Sequence, residues 1–209
     1  MYDVIVDIDG VLLDIHTGLK QHFANLGLNY DVNDVYTYDF NKDLPDDEKY
    51  NKLPKRDAIY EAFFDPKLYQ NSPVDWDSIS LIRRYSRQGL KYLIYTLSSD
   101  MSVSLTKQTM FLQWFHHFPN VEFASEIDKK MSFKKGRHTR TVIEDSHINL
   151  RNYSPYVHKF LVNKPYNTEA YNMDYSDVFK DPYFTRCSTT LQAVELASSI
   201  AIASKIKDV

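Results

Sequence analysis

The sequence predicts an α/β fold built on a parallel β-sheet, and three observations support this. Short apolar runs rich in β-branched residues alternate with amphipathic stretches along most of the 209 residues, which is typical of strand–helix–strand units with right-handed crossovers. Polar side chains follow several of these runs, at the carboxyl ends of strands where such sheets bind ligands. Residues 28–75 are mainly polar and interrupt the alternation once, which indicates an insertion.

Five strands are predicted in chain order. The first is short and almost continuously apolar, as expected of a strand that is covered on both faces of a parallel sheet. The five segments are YDVIVDI (2–8), LKYLIYTLSSD (90–100), NVEFASE (120–126), RTVIEDS (140–146) and HKFLVNKPYN (158–167).

Helices are predicted between these strands, because apolar residues recur there at helical spacing. Lys107 is expected to be a charge on a helix surface. The helical segments are 15–27, 76–89, 101–117 and 188–206. The expected apolar faces are Leu105, Phe111, Leu112, Trp114 and Phe115 in the third segment, and Leu191, Val194, Leu196 and Ile200 in the fourth.

The domain organisation follows from the polar block, which three prolines break into short helices. Residues 1–14 and 76–209 are predicted to form a Rossmann-like, three-layer core with a parallel sheet in the middle. Residues 15–75 are predicted to form a small helical cap inserted after the first strand.

Composition excludes several classes of protein. A net charge of −3 offers no basic footprint, which disfavours a nucleic-acid partner. A single cysteine, Cys187, rules out a disulfide framework. Asp3, Asp7 and Asp9 interrupt the one N-terminal apolar run that could be a signal peptide, and no run is long enough to cross a membrane. We therefore expect a cytoplasmic protein, with a homodimer left open.

Carboxylates stand at the ends of two predicted strands and are expected to meet. Asp7 and Asp9 follow the first strand, and Glu144 and Asp145 end the fourth. Carboxylates that lie this close repel one another and raise one another's pKa. A hard cation such as Mg²⁺ removes the conflict, because it prefers oxygen ligands and suits carboxylates together with a phosphate.

The spacing of the first two acids suggests phosphoryl chemistry. Asp7, at the strand end, could attack phosphorus as a nucleophile, since carboxylates form aspartyl-phosphates. Asp9 could protonate the leaving oxygen as a general acid. Gly10 permits the turn and a close backbone approach. At the second strand end Thr96 and Ser98, with the amides of Leu97 and Ser98, could hold phosphate oxygens.

These motifs together resemble the haloacid dehalogenase superfamily of phosphatases. DIDGV matches its first motif, LIYTLSS its second, and TVIEDS its fourth. More narrowly, the chain is similar to the 5′(3′)-deoxyribonucleotidase, or cytosolic type C 5′-nucleotidase, family, which has bacterial and phage members. The supporting segments within residues 3–170 are DIDGVLLD, AFFDPKLYQNSPVDWDSISLIRRYSRQG, YTLSS, TKQTMFLQWFHHF, TVIEDS and FLVNKPYN.

The resemblance implies a role for individual residues. Asp7 would be the nucleophile, Asp9 the acid and base, and Thr96 a phosphate ligand. Mg²⁺ would take Asp7, the backbone carbonyl of Asp9, and Asp145. Glu144 departs from the Asp-Asp that usually ends the fourth motif. A phage-encoded member would work in the host cytoplasm.

Two parts of the site stay open. The third-motif lysine is one of Lys129, Lys130, Lys134 and Lys135, with Lys130 preferred. The aromatics that stack on the base in some relatives would fall near Ile15, Tyr38, Phe40 and Tyr60, but Ile15 cannot stack. Asn163 and Asn167 are either turn residues or partners of the site.

The predicted function is a Mg²⁺-dependent phosphomonoesterase that hydrolyses deoxynucleoside or nucleoside monophosphates through an aspartyl-phosphate. One alternative is a phosphatase for another small phosphate ester or for a 3′-phosphate at a nucleic-acid end. A second is a non-catalytic nucleotide-binding protein on the same scaffold. Base preference, sugar preference and 5′ against 3′ phosphate stay open.

Overall fold

A computed structural model describes residues 1–30, 56–126, 139–167 and 176–207. Its centre is a six-stranded, fully parallel sheet with the strand order β3-β2-β1-β4-β5-β6. The strands are β1 (Tyr2–Val6), β2 (Tyr92–Leu97), β3 (Val121–Glu126), β4 (Thr139–Glu144), β5 (His158–Val162) and β6 (Phe184–Cys187). The α/β fold class predicted from the sequence is confirmed.

Helices connect these strands. They are α1 (Ile15–Asn25), α2 (Arg56–Ala62), α3 (Pro66–Asn71), α4 (Trp76–Arg87), α5 (Met101–Phe115), α6 (His147–Leu150), α7 (Ser176–Phe179) and α8 (Thr190–Lys207). None of the described helices combines the length and apolar character that a membrane span requires.

The strand order places a switch point between β1 and β4. Val4 of β1 pairs with Tyr92 of β2 on one side and with Thr141 of β4 on the other. Successive connections run outward in one direction from β1 and in the opposite direction from β4. Their carboxyl ends therefore border the crevice where ligands bind in open sheets of this kind.

The sheet separates two layers of apolar side chains. Val4 and Val6 of β1 belong to the larger cluster, with α1, α4, α5 and α8, whereas Ile5 belongs to the smaller one, with Leu150 and Val178. Alternate residues of a strand point to opposite faces, so a central strand buried on both sides is apolar throughout. The core is therefore a three-layer structure.

Strand β6 is absent from the sequence prediction, which has five strands. It has only four residues, and Thr185 and Arg186 within it are polar. Thr185 pairs with Phe160 of β5 at the edge of the sheet, where only one neighbour is present. An edge strand of this length lacks the apolar run that marks the other strands.

The apolar faces of two helices also differ from prediction. Leu191 and Leu196 of α8 are 40% and 39% exposed, whereas Val194 is buried as predicted and Ile200 packs against the core. The rest of the buried face consists of small residues, Ala193, Ala197 and Ala201 among them. Alanine lets the helix approach the sheet closely, so the buried face does not follow the largest side chains.

Helix α5 shows a similar difference. Leu105 and Leu112 are exposed, whereas Phe111, Trp114 and Phe115 are buried as predicted. The expectation that Lys107 is a surface charge is wrong, because its side chain is fully buried.

The cap assignment, residues 15–75, stays a prediction. Residues 31–55, which include Tyr38 and Phe40, lie outside the described residues, as do the lysines between 127 and 138. In the described part, Ile59, Leu68 and Tyr69 belong to the same cluster as β1. Helix α3 begins at Pro66, where a missing backbone N–H costs nothing.

Candidate active site

Three carboxylates meet at the switch point of the sheet. Asp7 directly follows β1, Glu144 is the last residue of β4, and Asp145 comes next. One carboxylate oxygen from each lies within 4.8 Å of the others. The parallel pairing fixes this arrangement, because the Asp7 amide donates to the carbonyl of Ile143 at 3.1 Å and so holds the two strand ends level. Three of the four predicted acids are therefore brought together.

The cluster is largely shielded from water. Asp7, Glu144 and Asp145 are 9%, 1% and 6% exposed. Burial raises the pKa of Asp145 well above the ordinary value for an aspartate, and the negative charge of Glu144 adds to the rise. The Tyr166 hydroxyl, which donates a hydrogen bond to Asp145 Oδ2, opposes it. Burying several negative charges close together costs free energy unless a cation binds beside them.

Gly10 permits the close approach of the two strand ends. Its φ is +71°, a region that residues with a side chain seldom adopt. A Cβ atom at this position would lie 1.9 Å from Asp145 Oδ2. The predicted need for glycine at the turn thus has two physical causes, backbone conformation and contact with an acid of the cluster.

Asp9, the fourth acid, is paired with a lysine instead of with the other carboxylates. Its Oδ2 accepts a hydrogen bond from Lys107 Nζ at 2.6 Å. Its Oδ1 is buried and has no hydrogen-bond partner among the residues that the structure describes. The two motif acids are thus in different surroundings, one among carboxylates and one beside a cation.

Lys107 is the site residue that sequence reasoning missed. Besides Asp9, its ammonium donates to Thr96 Oγ1 at 3.0 Å and to the Leu97 carbonyl at 2.7 Å. It also lies 4.5 Å from the centre of the Tyr69 ring, a cation–π distance. A signal was present in the sequence: Val103, Lys107, Met110 and Trp114 recur at helical spacing, and all are buried.

The predicted phosphate-binding group at the end of β2 is only partly free to bind. The Thr96 hydroxyl is buried and donates to the Leu97 carbonyl at 3.1 Å. The Ser98 amide donates to the Glu126 carbonyl at 2.9 Å, and its contact with phosphate stays a prediction. This hydrogen bond forms because β3 runs beside β2 as far as its last residue. The Ser98 hydroxyl pairs with Ser125 at 2.7 Å.

The two asparagines after β5 have different roles. Asn167 is buried and donates from Nδ2 to the Asp145 carbonyl at 2.8 Å and to the Val162 carbonyl at 2.7 Å. It therefore fixes the backbone of the acid cluster against β5. Asn163 accepts a hydrogen bond from Arg186 at 3.0 Å, at the surface.

Helices α2 and α3 contact the site edge through one carbonyl. Phe63, just after α2, accepts hydrogen bonds from Ser99 Oγ at 2.5 Å and from the Tyr69 hydroxyl at 3.0 Å. Tyr60 lies one turn earlier on α2 and is 39% exposed. The structure describes its position but shows no base-binding role.

A buried aromatic group borders the cluster on the side of α1. The His16 Nδ1 atom is 2.8 Å from the Tyr30 hydroxyl, and the His16 ring lies 4.9 Å from that of Tyr166. Burial, together with the positive charge of Lys164, lowers the pKa of His16 to about 3. The imidazole is therefore neutral near pH 7 and acts as a packing and hydrogen-bonding group.

The donor set fits Mg²⁺. Asp7, Glu144 and Asp145 offer only carboxylate oxygens, the hard ligands that this ion prefers. A divalent cation would also offset the effects of burial and of neighbouring negative charge, which together raise the pKa of Asp145.

Comparisons with known proteins give a fold. No protein-family model matches the sequence, and no curated protein matches it. Several solved structures are similar in fold, including the three that follow. One, from Lactobacillus delbrueckii subsp. bulgaricus, is assigned as a phosphoglycolate phosphatase; it is 14% identical, with a TM-score of 0.53, and the match covers 95% of this chain and 97% of that one.

The other two are HAD hydrolases. One is from Deinococcus radiodurans R1, with bound phosphate and sodium: identity is 16%, the TM-score 0.53, and coverage 97% of this chain and 96% of that one. The second is a family IA, variant 3 enzyme from Entamoeba histolytica: identity is 17%, the TM-score 0.50, and coverage 97% and 100%. The chain therefore has the fold of HAD hydrolases over nearly its whole length.

Proposed function

We propose that this protein is a Mg²⁺-dependent phosphomonoesterase that hydrolyses nucleoside or deoxynucleoside monophosphates through an aspartyl-phosphate intermediate. One observation carries the proposal: Asp7 lies in a buried carboxylate cluster at the switch point, while Asp9, two residues on, lies beside a buried lysine. The two carboxyl groups are thus held by separate sets of neighbours, which allows one to attack phosphorus and the other to exchange a proton with the leaving group. The fold shared with HAD hydrolases agrees with it.

The first step is phosphoryl transfer to the enzyme. A carboxylate oxygen of Asp7 forms a bond to phosphorus, and the bond from phosphorus to the leaving oxygen breaks. The electron pair stays on that oxygen, and a proton from Asp9 neutralises it. The products of this step are an alcohol and an acyl-phosphate on Asp7.

The second step returns the enzyme to its starting state. Asp9, now a carboxylate, takes a proton from water as the water oxygen attacks phosphorus. The bond between phosphorus and Asp7 breaks, which releases inorganic phosphate and leaves both aspartates as they began.

Asp7, Asp145 and Glu144 are the side chains that would hold Mg²⁺. When bound, the ion supplies charge neutralisation for the phosphoryl group. The chain's own contribution is to fix the acids. Tyr166 and Asn167 hold the side chain and backbone of Asp145, and Asn149 donates to Glu144 Oε2 at 3.1 Å.

The choice of a nucleotide as substrate rests on the sequence resemblance. A second candidate is a smaller phosphate ester, which the phosphatase assignment of one structural neighbour favours. These candidates share the chemistry and differ only in what the leaving group is, so a substrate panel separates them.

The test is phosphate release from 5′- and 3′-mononucleotides, ribo and deoxy, alongside phosphoglycolate and p-nitrophenyl phosphate. Each is assayed with Mg²⁺ and with a chelator. We expect Mg²⁺-dependent turnover, with at least one nucleotide preferred over the generic ester by kcat/KM.

Turnover of phosphoglycolate or the aryl ester without any nucleotide would keep the chemistry and overturn the nucleotide assignment. A folded protein that binds a nucleotide but releases no phosphate from any compound would instead be a binding protein on this scaffold.

A further inference from the structure

We infer that Lys107 is a positioning residue for the general acid: it holds Asp9 by one carboxylate oxygen and thereby presents the other to the leaving group. This rests on the proposed phosphatase function and adds a residue to it. Lys107 belongs to none of the three sequence motifs and lies on α5, outside the 129–135 segment where a lysine was expected.

The first support is the geometry around the ammonium group. Lys107 Nζ has three N–H donors and three acceptors within 3.0 Å, from Asp9, Thr96 and Leu97. Thr96 and Leu97 belong to β2, a central strand of the sheet. The position of the ammonium is thus set by the scaffold, and the position of Asp9 Oδ2 is set by the ammonium.

The second support is burial. Lys107 is 0% exposed, and the Tyr69 ring lies beside its ammonium. A lysine in such a place loses its hydration and is retained only if it is fully hydrogen-bonded. Its side chain therefore has little freedom to move, which is the property required of a group that orients another.

The third support is the asymmetry of the Asp9 carboxylate. Oδ2 is bound to Lys107, while Oδ1 is buried with no partner among the described residues. A buried acceptor without a donor is unfavourable, and such groups often mark function. Oδ1 is the oxygen left to carry the proton, on a residue two positions from the nucleophile.

The consequence is a dependence on the leaving group. A poor leaving group, such as an alkoxide, needs its proton early, whereas p-nitrophenolate departs almost unaided. Loss of Lys107 should therefore slow alkyl phosphates more than aryl phosphates, because only the former depend on a well-placed Asp9. A purely structural lysine would slow all substrates equally.

The experiment measures kcat/KM for a series from p-nitrophenyl phosphate through phenyl phosphate to an alkyl phosphate. The variants are Lys107→Met, Lys107→Gln, Asp9→Asn and Lys107→Met/Asp9→Asn. The matched control is Lys159→Met. Lys159 is also buried and also bonded to an aspartate at 2.6 Å, but it lies at the amino end of β5, away from the carboxylate cluster.

For Lys107→Met we expect a loss of about tenfold with the nitrophenyl ester and about 10³-fold with the alkyl ester. Lys107→Gln, which keeps an N–H donor, should fall between this variant and wild type. In the Asp9→Asn background the lysine change should add little, because Lys107 acts through Asp9. Lys159→Met should keep the wild-type leaving-group dependence.

Several outcomes would overturn the inference. These are an equal loss across the series, no loss in Lys107→Met, and full additivity with Asp9→Asn. Failure of both Lys107 variants to fold, where Lys159→Met folds, would identify Lys107 as structural. Wild-type protein that turns over nothing would refute the proposed function itself, a result distinct from all of these.

Discussion

Two buried lysines lie at opposite ends of the strands of the same sheet, and they differ in what surrounds them. Lys107 binds Asp9 at 2.6 Å near the carboxyl ends of the strands, and Lys159 binds Asp181 at 2.6 Å near the amino end of β5. Lys107 has two further acceptors, and so does Lys159, in the carbonyls of Ser154 and Val157. As ion pairs the two are nearly equivalent.

The difference lies beyond the ion pair. Asp9, the partner of Lys107, comes two residues after Asp7 of the carboxylate cluster, and its Oδ1 is buried without a hydrogen-bond partner among the described residues. Asp181 uses both oxygens, since Oδ2 accepts from Lys159 and Oδ1 accepts from the Tyr183 amide at 2.8 Å. A buried salt bridge therefore does not by itself mark a site; incomplete hydrogen bonding at a crowded strand end does.

The largest expected contrast is between Asp7→Asn, at the carboxyl ends of the strands, and Asp181→Asn, beside Lys159; it concerns both activity and folding stability. Asp7→Asn should lower kcat by at least about 10³-fold, because it removes the nucleophile. Its folding stability should be kept or improved, since one of three clustered negative charges is gone. Asp181→Asn should keep activity and lose about 3 kcal/mol, because Lys159 stays buried without its counterion.

Steady-state phosphate release and urea denaturation measure the two quantities. Equal loss of activity in both variants would mean that the carboxylate cluster is no more important for catalysis than the Lys159–Asp181 ion pair.

The second contrast uses two glycines with nearly the same backbone conformation, Gly10 at φ +71° and Gly27 at φ +72°. Alanine at either should cost about 1 kcal/mol of backbone strain. At Gly27 no atom lies within 4 Å of the added Cβ, but at Gly10 Asp145 Oδ2 lies at 1.9 Å. Gly10→Ala should therefore also displace the cluster and lower kcat about 10²-fold.

Assays of both variants, with thermal unfolding, check this prediction. If Gly10→Ala retained wild-type kcat, the acids would not need the packing that the structure gives them.

The third contrast is the response to Mg²⁺ and pH. Because the pKa of Asp145 is raised in the folded protein, this group stabilises the fold at acid pH, and that contribution is lost as pH rises above the ordinary carboxyl range. With a chelator present, the free energy of unfolding should therefore fall as the pH rises toward neutral, because Asp145 loses its proton. Saturating Mg²⁺ at about 100 times its Kd should restore about 2.7 kcal/mol at neutral pH.

Asp145→Asn should flatten the pH dependence and weaken the Mg²⁺ response, and calorimetry in chelator and in Mg²⁺ measures both. A full Mg²⁺ shift in this variant would place the ion elsewhere.

The smallest expected effect concerns His16. Its pKa is about 3 in the folded protein and 6.5 ordinarily, so the unfolded chain takes up a proton first as pH falls. Stability should therefore fall by about 1 kcal/mol per pH unit below pH 6. His16→Gln should lose part of this slope. Unfolding curves at several pH values measure it, and an unchanged slope in His16→Gln would contradict it.

Much of the sheet and the acid cluster could be predicted from the sequence. Central parallel strands are covered on both faces, so they appear as apolar runs, and Asp7, Glu144 and Asp145 stand where those runs stop. Strand β6 was not predicted, because an edge strand of four residues that includes Thr185 and Arg186 has no apolar run. The burial of the alanines of α8 was not predicted, because it depends on how closely the helix packs against the sheet, which the helix sequence alone does not show.

By itself the sequence determined the fold class and which strand ends carry acids, because both follow from local periodicity and from residues adjacent in the chain. Only the tertiary structure decided that Lys107 is buried against Asp9, 98 residues away, and that the Ser98 amide is used by β3. A lysine is read as a surface residue until its partners are known. Those partners come from distant segments, and only folding brings them within hydrogen-bond distance.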